Sequence, residues 1–440
     1  MRTDLYGSRF DCECGRTHSI VPELVVLADD AVDRLCQRAL DRCPGEAAGR
    51  TVVVLDDART RLAAGDRVAE ALGAAGFTVF HEILEDREGG GDPVCDDLTF
   101  ARLCERLPAC RMMVAVGSGV VSDLVKWVAF ERRVPYFAFA TAASMNGYAS
   151  ANVAPTVSGV KTLQRAAPPV AVFSSLAVLA DAPYRLTASG LGDIVAKPVS
   201  SADWRLNNLL FGDYFCGRSV GLIGEIEPLY LDDPAALASR EARSLAALFE
   251  GLILTGVAMT MAESSAPSSG GEHLISHCLD MMSSVDRTAH DLHGRQVGVG
   301  TILASALYER MLQLEAPTFA VPHRVIDERL WGPLARNVAL AWSRKRERLE
   351  AAPQHLGEND RWDSLRSELA PMVRRAGQVA SCLKRAGAAC RVADLGLSRE
   401  RVLTAFVNAH TIRDRFTILD LAWLAGLMPG AAREIVEEWA

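Results

Sequence analysis

The chain has 440 residues, of which 49% are hydrophobic, 23% charged and 6% aromatic, and its formal net charge is −8. That length suits two domains, and the apolar fraction excludes disordered and fibrous classes. The acidity excludes a dedicated nucleic-acid binder but leaves room for a local basic pocket around a small anionic substrate.

Near the N-terminus, Cys12, Cys14 and His18 offer three soft donors within seven residues, without the paired C-x-x-C spacing of zinc modules. They read as a structural loop, with a zinc site as the alternative. The eleven cysteines are odd in number and follow no apolar leader, which predicts a reducing, cytoplasmic setting.

Residues 52–56 (VVVLD) form a β-branched run closed by Asp56 and Asp57, the pattern of a buried strand. Leu62, Val68 and Leu72 then repeat with helical spacing over 61–75. A second strand is predicted over 77–84, ending in the glycine-rich turn 88–93. A helix follows around 97–106, a strand over 111–116, a helix over 121–132 and a strand over 135–140. This alternation predicts a parallel sheet with helices on both faces.

Past residue 182 the pattern turns helical, over 200–222, 234–263, 272–286, 293–315, 325–350, 362–385, 398–409 and 429–439. The expected class is therefore α/β: a parallel-sheet domain over 1–182, then an all-α domain over 183–440. The apolar stretch from Leu245 to Met261 is interrupted by Glu250, Gly251 and Gly256, and reads as a core helix, not a membrane span.

Two loops carry the first functional signal. Gly117, Ser118 and Gly119 lie between a predicted strand and a predicted helix, with Asp123 one turn on. Glycines there let backbone N–H groups at a helix start approach a phosphate. No Gly-Lys-Ser/Thr follows, and Ser122 occupies the third glycine position of a dinucleotide fingerprint. The second loop, Thr141 to Gly147 with Ser144 and Asn146, leaves the next strand at the same end, where open parallel sheets bind ligands.

The second signal is histidine. His273, His277, His290 and His293 fall within 21 positions. Asp193, in Gly190-Leu-Gly192-Asp193, reads either as a helix N-cap or as a metal ligand. One aspartate and two histidines would form a three-ligand site that leaves a position for a substrate oxygen. Spacing alone leaves open which histidines bind.

GSGVVSDLVKWVA at 117–129, TAASMNGYAS at 141–150, GLGDIVAK at 190–197, SSGGEHLISH at 268–277, HDLHGRQVGVGT at 290–301 and IRDRFTILDLA at 412–422 occur in this order. Together with CECGRTH at 12–18, they resemble the sn-glycerol-1-phosphate dehydrogenases. These belong to the superfamily of iron-containing alcohol dehydrogenase, glycerol dehydrogenase and dehydroquinate synthase. The resemblance implies a dehydroquinate synthase-like fold with a Rossmann-like N-terminal domain, and reversible, NAD- or NADP-linked reduction of dihydroxyacetone phosphate to sn-glycerol 1-phosphate.

It further implies one divalent metal, zinc or nickel, on Asp193, His273 and His293, with His277 and His290 outside the ligand set. Gly117, Ser118, Gly119 and Asp123 are implied at the pyrophosphate and nicotinamide, Thr141 and Ser144 in the second cofactor loop, and Asp56 at the adenosine end. His277 is a candidate proton carrier, and Lys197 and Arg295 are candidate partners of the substrate phosphate. The expected partner is a small phosphorylated ketone or alcohol, and the expected state a homo-oligomer, a dimer or larger.

One position departs. The family usually carries aspartate where this chain has Asn146, which removes a charge and adds donors beside the nicotinamide. A same-fold dehydrogenase of another, possibly phosphorylated, ketone or alcohol is therefore an alternative. A dehydroquinate synthase-like cyclase is a further one, although that class usually has glutamate where this chain has Asp193.

Overall fold

The computed structural model describes residues 4–44, 49–87, 90–224, 226–323, 326–358 and 360–439. Within the expected glycine-rich turn 88–93, residues 88 and 89 lie outside the described residues.

The strands in chain order are β1 (Arg9–Asp11), β2 (Thr17–Ser19), β3 (Leu24–Leu27), β4 (Thr51–Asp57), β5 (Thr78–Leu84), β6 (Met112–Gly117) and β7 (Tyr136–Ala140). They continue with β8 (Asn152–Val153), β9 (Thr156–Val157), β10 (Val160–Lys161), β11 (Gln164–Arg165) and β12 (Ala171–Ser174). Six of them form one sheet in the order β3-β12-β7-β6-β4-β5. Every pairing in it is parallel. β6 and β7 are buried at every position, as central parallel strands covered on both faces must be.

One face carries Val52, Val54, Val114, Val116, Phe137, Phe139 and Phe173, packed against Leu35, Val68 and Leu72 from the helices Ala31–Arg42 and Asp66–Ala74. The sheet also includes β3 and β12, which the sequence pattern does not single out. Each has only four residues, too few for a periodicity to stand out.

The predicted helix over 61–75 starts earlier, at Ala58, and contains a π turn at Arg61–Gly65. A Cβ on Gly65 would lie 1.9 Å from the Asp56 carboxylate, so the wide turn and the missing side chain together accommodate that buried group. The window 200–222 is broken. One helix spans Lys197–Phe211 and stops where Gly212 takes φ +69, and the next begins at Gly217.

The chain forms two compact units, Met1–Gly190 with Leu222–Glu263, and Leu191–Gly221 with Ser264–Ala440. The helix Ala242–Ala262 thus groups with the sheet. Its Thr260 hydroxyl donates to the Ala149 carbonyl at 3.1 Å. This helix is long and apolar enough to cross a membrane, but 83% of its apolar window is buried in the protein, as in a core helix. Among the described residues, the second unit contains helices and no strands.

Candidate active site

Within the helical unit, three segments converge. The helix Tyr184–Ile194 ends with Asp193 in its last turn, so this aspartate does not cap a helix start. The helix Gly271–Asp286 presents His273 in its first turn, and the helix His293–Leu312 begins with His293. One ligand atom from each of Asp193, His273 and His293 lies within 4.8 Å of the others. Asp193 and His273 are buried, whereas His293 is exposed, which leaves the cluster an open side.

Glycines make this convergence possible. A Cβ on Gly192 would sit 2.0 Å from the Gly294 carbonyl oxygen, so only glycine lets the Asp193 backbone approach the His293 helix so closely. A Cβ on Gly300 would sit 2.6 Å from the Glu272 carbonyl, and its absence lets the two histidine-bearing helices pack together.

The ring of His273 is fixed from behind. Its Nδ1 lies 2.7 Å from Glu272 Oε1, which turns Nε2 toward Asp193 Oδ1 at 3.4 Å. Glu272 is fully buried and also accepts from the Gly270 N–H at 2.8 Å. Such a carboxylate behind a metal-binding imidazole sets its tautomer and raises its basicity. Burial alone pushes the Asp193 carboxyl up, but the His273 hydrogen bond and the charges of Lys197, His273 and His293 outweigh it. They hold the carboxyl well below the usual carboxylate range. An ionised, buried carboxylate facing an oriented imidazole is the donor set that a divalent ion requires.

Beneath this cluster lies Asp203. Its carboxylate accepts from the Tyr308 hydroxyl at 2.6 Å and from the N–H groups of Gly271 and Ile418, each at 2.7 Å. Burial, and then the charge of Glu272, push its carboxyl up to about 7.

The sheet unit presents its candidate residues through backbone. Gly117 closes β6, and the helix Gly119–Arg132 starts after Ser118. The Thr141 N–H donates to the Gly117 carbonyl at 3.2 Å, so the two polar loops lie side by side. The buried Tyr148 hydroxyl donates to the Ala142 carbonyl at 2.8 Å and takes part in a hydrogen bond with Ser144. The helix start leaves first-turn N–H groups available to an anion, at the carboxyl end of the sheet.

Asp123 is bound to its own unit, 3.3 Å from the Lys126 ammonium and accepting from the Ala154 N–H at 3.2 Å. Lys126 is completely buried and also donates to the Gly147 carbonyl at 2.7 Å and the Asn152 carbonyl at 3.1 Å. It therefore pins the loop that holds Asn146.

The remaining sequence candidates fall as follows. His277 stands one turn after His273, half-buried, its ring centroid 6.2 Å from that of His273 and 5.6 Å from that of His293. His290 is exposed and 3.6 Å from Asp280. Lys197 is buried one turn beyond Asp193, and its ammonium donates to the Ser268 carbonyl at 3.0 Å. Arg295 donates to Asp291 at 2.8 Å and to the Asp394 carbonyl at 2.5 Å. The Asp56 carboxylate is buried, 2.6 Å from His81 Nε2.

Sequence reading passed over Glu272, Asp203 and Lys126. The signal for Glu272 was its place between two glycines and a histidine. Asp203 and Lys126 gave none, because an acid or a lysine inside a helical pattern reads as a solvated position.

The model of the iron-containing alcohol dehydrogenase family matches residues 32–183. The glycerol-1-phosphate dehydrogenase [NAD(P)+] of Thermococcus kodakarensis is 32% identical over 308 residues, covering 70% of this chain and 68% of that protein. The chain belongs to the glycerol-1-phosphate dehydrogenase family. The enzyme of the same name from Bacillus licheniformis is 27% identical over 421 residues, 95% of this chain and 93% of that one. Among solved structures, the glycerol dehydrogenase of Schizosaccharomyces pombe superposes with a TM-score of 0.61 at 15% identity, covering 95% of this chain and 91% of that one. The NADH-dependent butanol dehydrogenase A of Thermotoga maritima gives 0.60 at 15% identity and covers 99% of each chain. These two likenesses establish the fold: a parallel-sheet unit with helices and a helical unit, as in the glycerol and iron-type alcohol dehydrogenases.

Proposed function

We propose that the chain catalyses the reversible, NAD(P)H-linked reduction of dihydroxyacetone phosphate to sn-glycerol 1-phosphate, using a divalent metal, zinc or nickel. The observation that carries this reading is the cluster of Asp193, His273 and His293 within 4.8 Å, in a chain of this family. When bound, the metal supplies a Lewis acid toward a substrate oxygen, and the nicotinamide supplies the hydride.

The chain's own residues do the rest. Asp193, His273 and His293 would hold the metal, and Glu272, accepting the His273 Nδ1–H, would leave Nε2 free to donate to it. Lys197, buried between the charges of Asp193 and Glu272, brings a cation to the substrate side and balances the two acids. His277 carries the proton to or from the substrate oxygen at its half-exposed position. The turn of Gly117, Ser118 and Gly119 binds the pyrophosphate through backbone N–H groups. Asp123 and Lys126 brace that turn and the loop of Thr141, Ser144 and Asn146, which would hold the nicotinamide. Asp56, at the end of β4, marks the adenosine side. The working form is a cytoplasmic homo-oligomer.

The test follows NAD(P)H absorbance at 340 nm with dihydroxyacetone phosphate, in metal-stripped protein reloaded with zinc or with nickel. Consumption that requires the metal supports the reading, and turnover needing only catalytic NAD would move the chain to the cyclase class. Asn146 supports a second reading, a same-fold reductase of a different phosphorylated ketone. A panel of such ketones distinguishes the two by their kcat/KM values.

A further inference from the structure

The N-terminal hairpin is built around residues that the reaction does not use. β1 and β2 pair antiparallel over three residues each, with Phe10 opposite His18. A hairpin this short is marginal in water without something that ties it together. The connecting turn folds tightly: the Cys12 N–H donates to the Arg16 carbonyl at 3.0 Å, and the Gly15 N–H to the Cys12 carbonyl at 2.9 Å. Gly15 takes φ +83, a left-handed conformation that glycine adopts at no steric cost.

The result is a cluster of donors. Cys14 Sγ lies 3.3 Å from His18 Nε2, and one ligand atom from each of Cys12, Cys14 and His18 lies within 4.8 Å of the others. A tetrahedral zinc ion, with bonds of roughly 2.3 Å to sulfur and 2.0 Å to nitrogen, sets its ligand atoms about 3.5–3.8 Å apart. Cys14 Sγ and His18 Nε2 stand close to that spacing, and the Cys12 donor atom lies within 4.8 Å of both. The imidazole is already oriented, since His18 is buried to 3% exposure with its ring 5.7 Å from that of Phe10. None of the eleven cysteines is in a disulfide.

We propose that Cys12, Cys14 and His18 bind a structural zinc ion, separate from the metal on Asp193, His273 and His293. Two thiolates and an imidazole form a soft set that selects zinc, whereas the carboxylate and two imidazoles of the helical cluster form a harder one. Binding releases the two thiol protons and closes the hairpin, so the ion contributes directly to the folding of this end of the chain. The fourth coordination position falls to a ligand outside the hairpin. This assignment replaces the structural-loop reading of the same three residues and does not depend on the proposed activity.

Elemental analysis of the full chain, purified without added metal, tests it. The Cys12→Ser, Cys14→Ser chain is expected to lose one metal equivalent relative to the parent while keeping the metal bound at Asp193. Equal metal content in the two chains would overturn the proposal. Cobalt(II) loading of the unmutated chain gives a readout that needs no variant. The helical cluster has no sulfur donor, so a sulfur-to-cobalt charge-transfer band in the near ultraviolet arises from the hairpin, and its absence overturns the assignment. Mass mapping under non-reducing conditions closes the remaining route: a Cys12–Cys14 disulfide in the native protein also overturns it. Single serine replacements of the other cysteines, read by the same cobalt band, identify any sulfur in the fourth position.

Discussion

The two units present their candidate ligand groups in different ways. In the sheet unit, the polar groups at the ligand end are main chain, offered by the turn after β6 and held by interior side chains such as Lys126 and Tyr148. In the helical unit, they are side chains brought together from distant segments: Asp193, His273 and His293. A backbone site is fixed once strand and helix are joined by glycines. A side-chain site depends on every helix crossing behind it, and so on glycines that have no chemistry of their own.

The sharpest test of that contrast is loss of a ligand. His273→Ala is expected to remove the metal and to lower kcat/KM by more than the roughly 10–100-fold typical of groups behind a ligand. Full metal content and activity in that variant would falsify the proposed ligand set. Glu272→Gln should cost about 10–100-fold in metal affinity, because the amide can no longer accept the His273 proton as a carboxylate does. Metal titration against a chelator measures it, and unchanged affinity would leave Glu272 with a packing role only.

A pair of glycine variants separates the two units. Gly192→Ala places a Cβ about where the Gly294 carbonyl stands and should cost about 1–3 kcal/mol together with metal occupancy. Gly117→Ala crowds the Val121 side chain instead and should raise the KM for NAD(P)H while metal occupancy is retained. If both variants lose metal equally, the two sites are not built independently. Asn146→Asp should change kcat/KM on dihydroxyacetone phosphate by about tenfold, about 1.4 kcal/mol at the barrier. Identical kinetics would remove Asn146 from the question of substrate preference.

A last effect concerns pH. The folded Asp203 carboxyl titrates near 7, against about 3.9 for an unfolded chain, so the native state retains a proton that the unfolded state gives up. Its contribution is therefore fully present below about pH 4 and is lost as pH rises through 7, with a slope of at most about 1.4 kcal/mol per pH unit. Urea midpoints between pH 4 and 8 should fall less steeply in Asp203→Asn than in the parent, and equal slopes would exclude this residue as the source.

Much of the architecture was legible in the chain. β4, β6 and β7 are continuous apolar runs because both of their faces are covered, and the helix Gly271–Asp286 falls almost where its spacing predicted. What escaped was short or broken. β3 and β12 are too brief to show a period, and Gly212 ends a helix inside a pattern that reads as continuous. Asp193 looked like a helix start because aspartate after glycine is a common cap, yet it lies in the last turn of its helix.

By itself, the sequence determined the inventory: a glycine turn after a strand, an aspartate, four clustered histidines and a Cys-Cys-His loop, in a fixed order. Only the tertiary structure decided which of these groups meet. It set Asp193 against His273, placed Glu272 behind the ring, turned His290 outward and drew Cys14 to His18. The reason is physical. A local pattern reports which face of an element is apolar, but donor atoms converge only where helix axes cross closely. That distance is set by the missing side chains of Gly192 and Gly300 and by carbonyls far away in sequence.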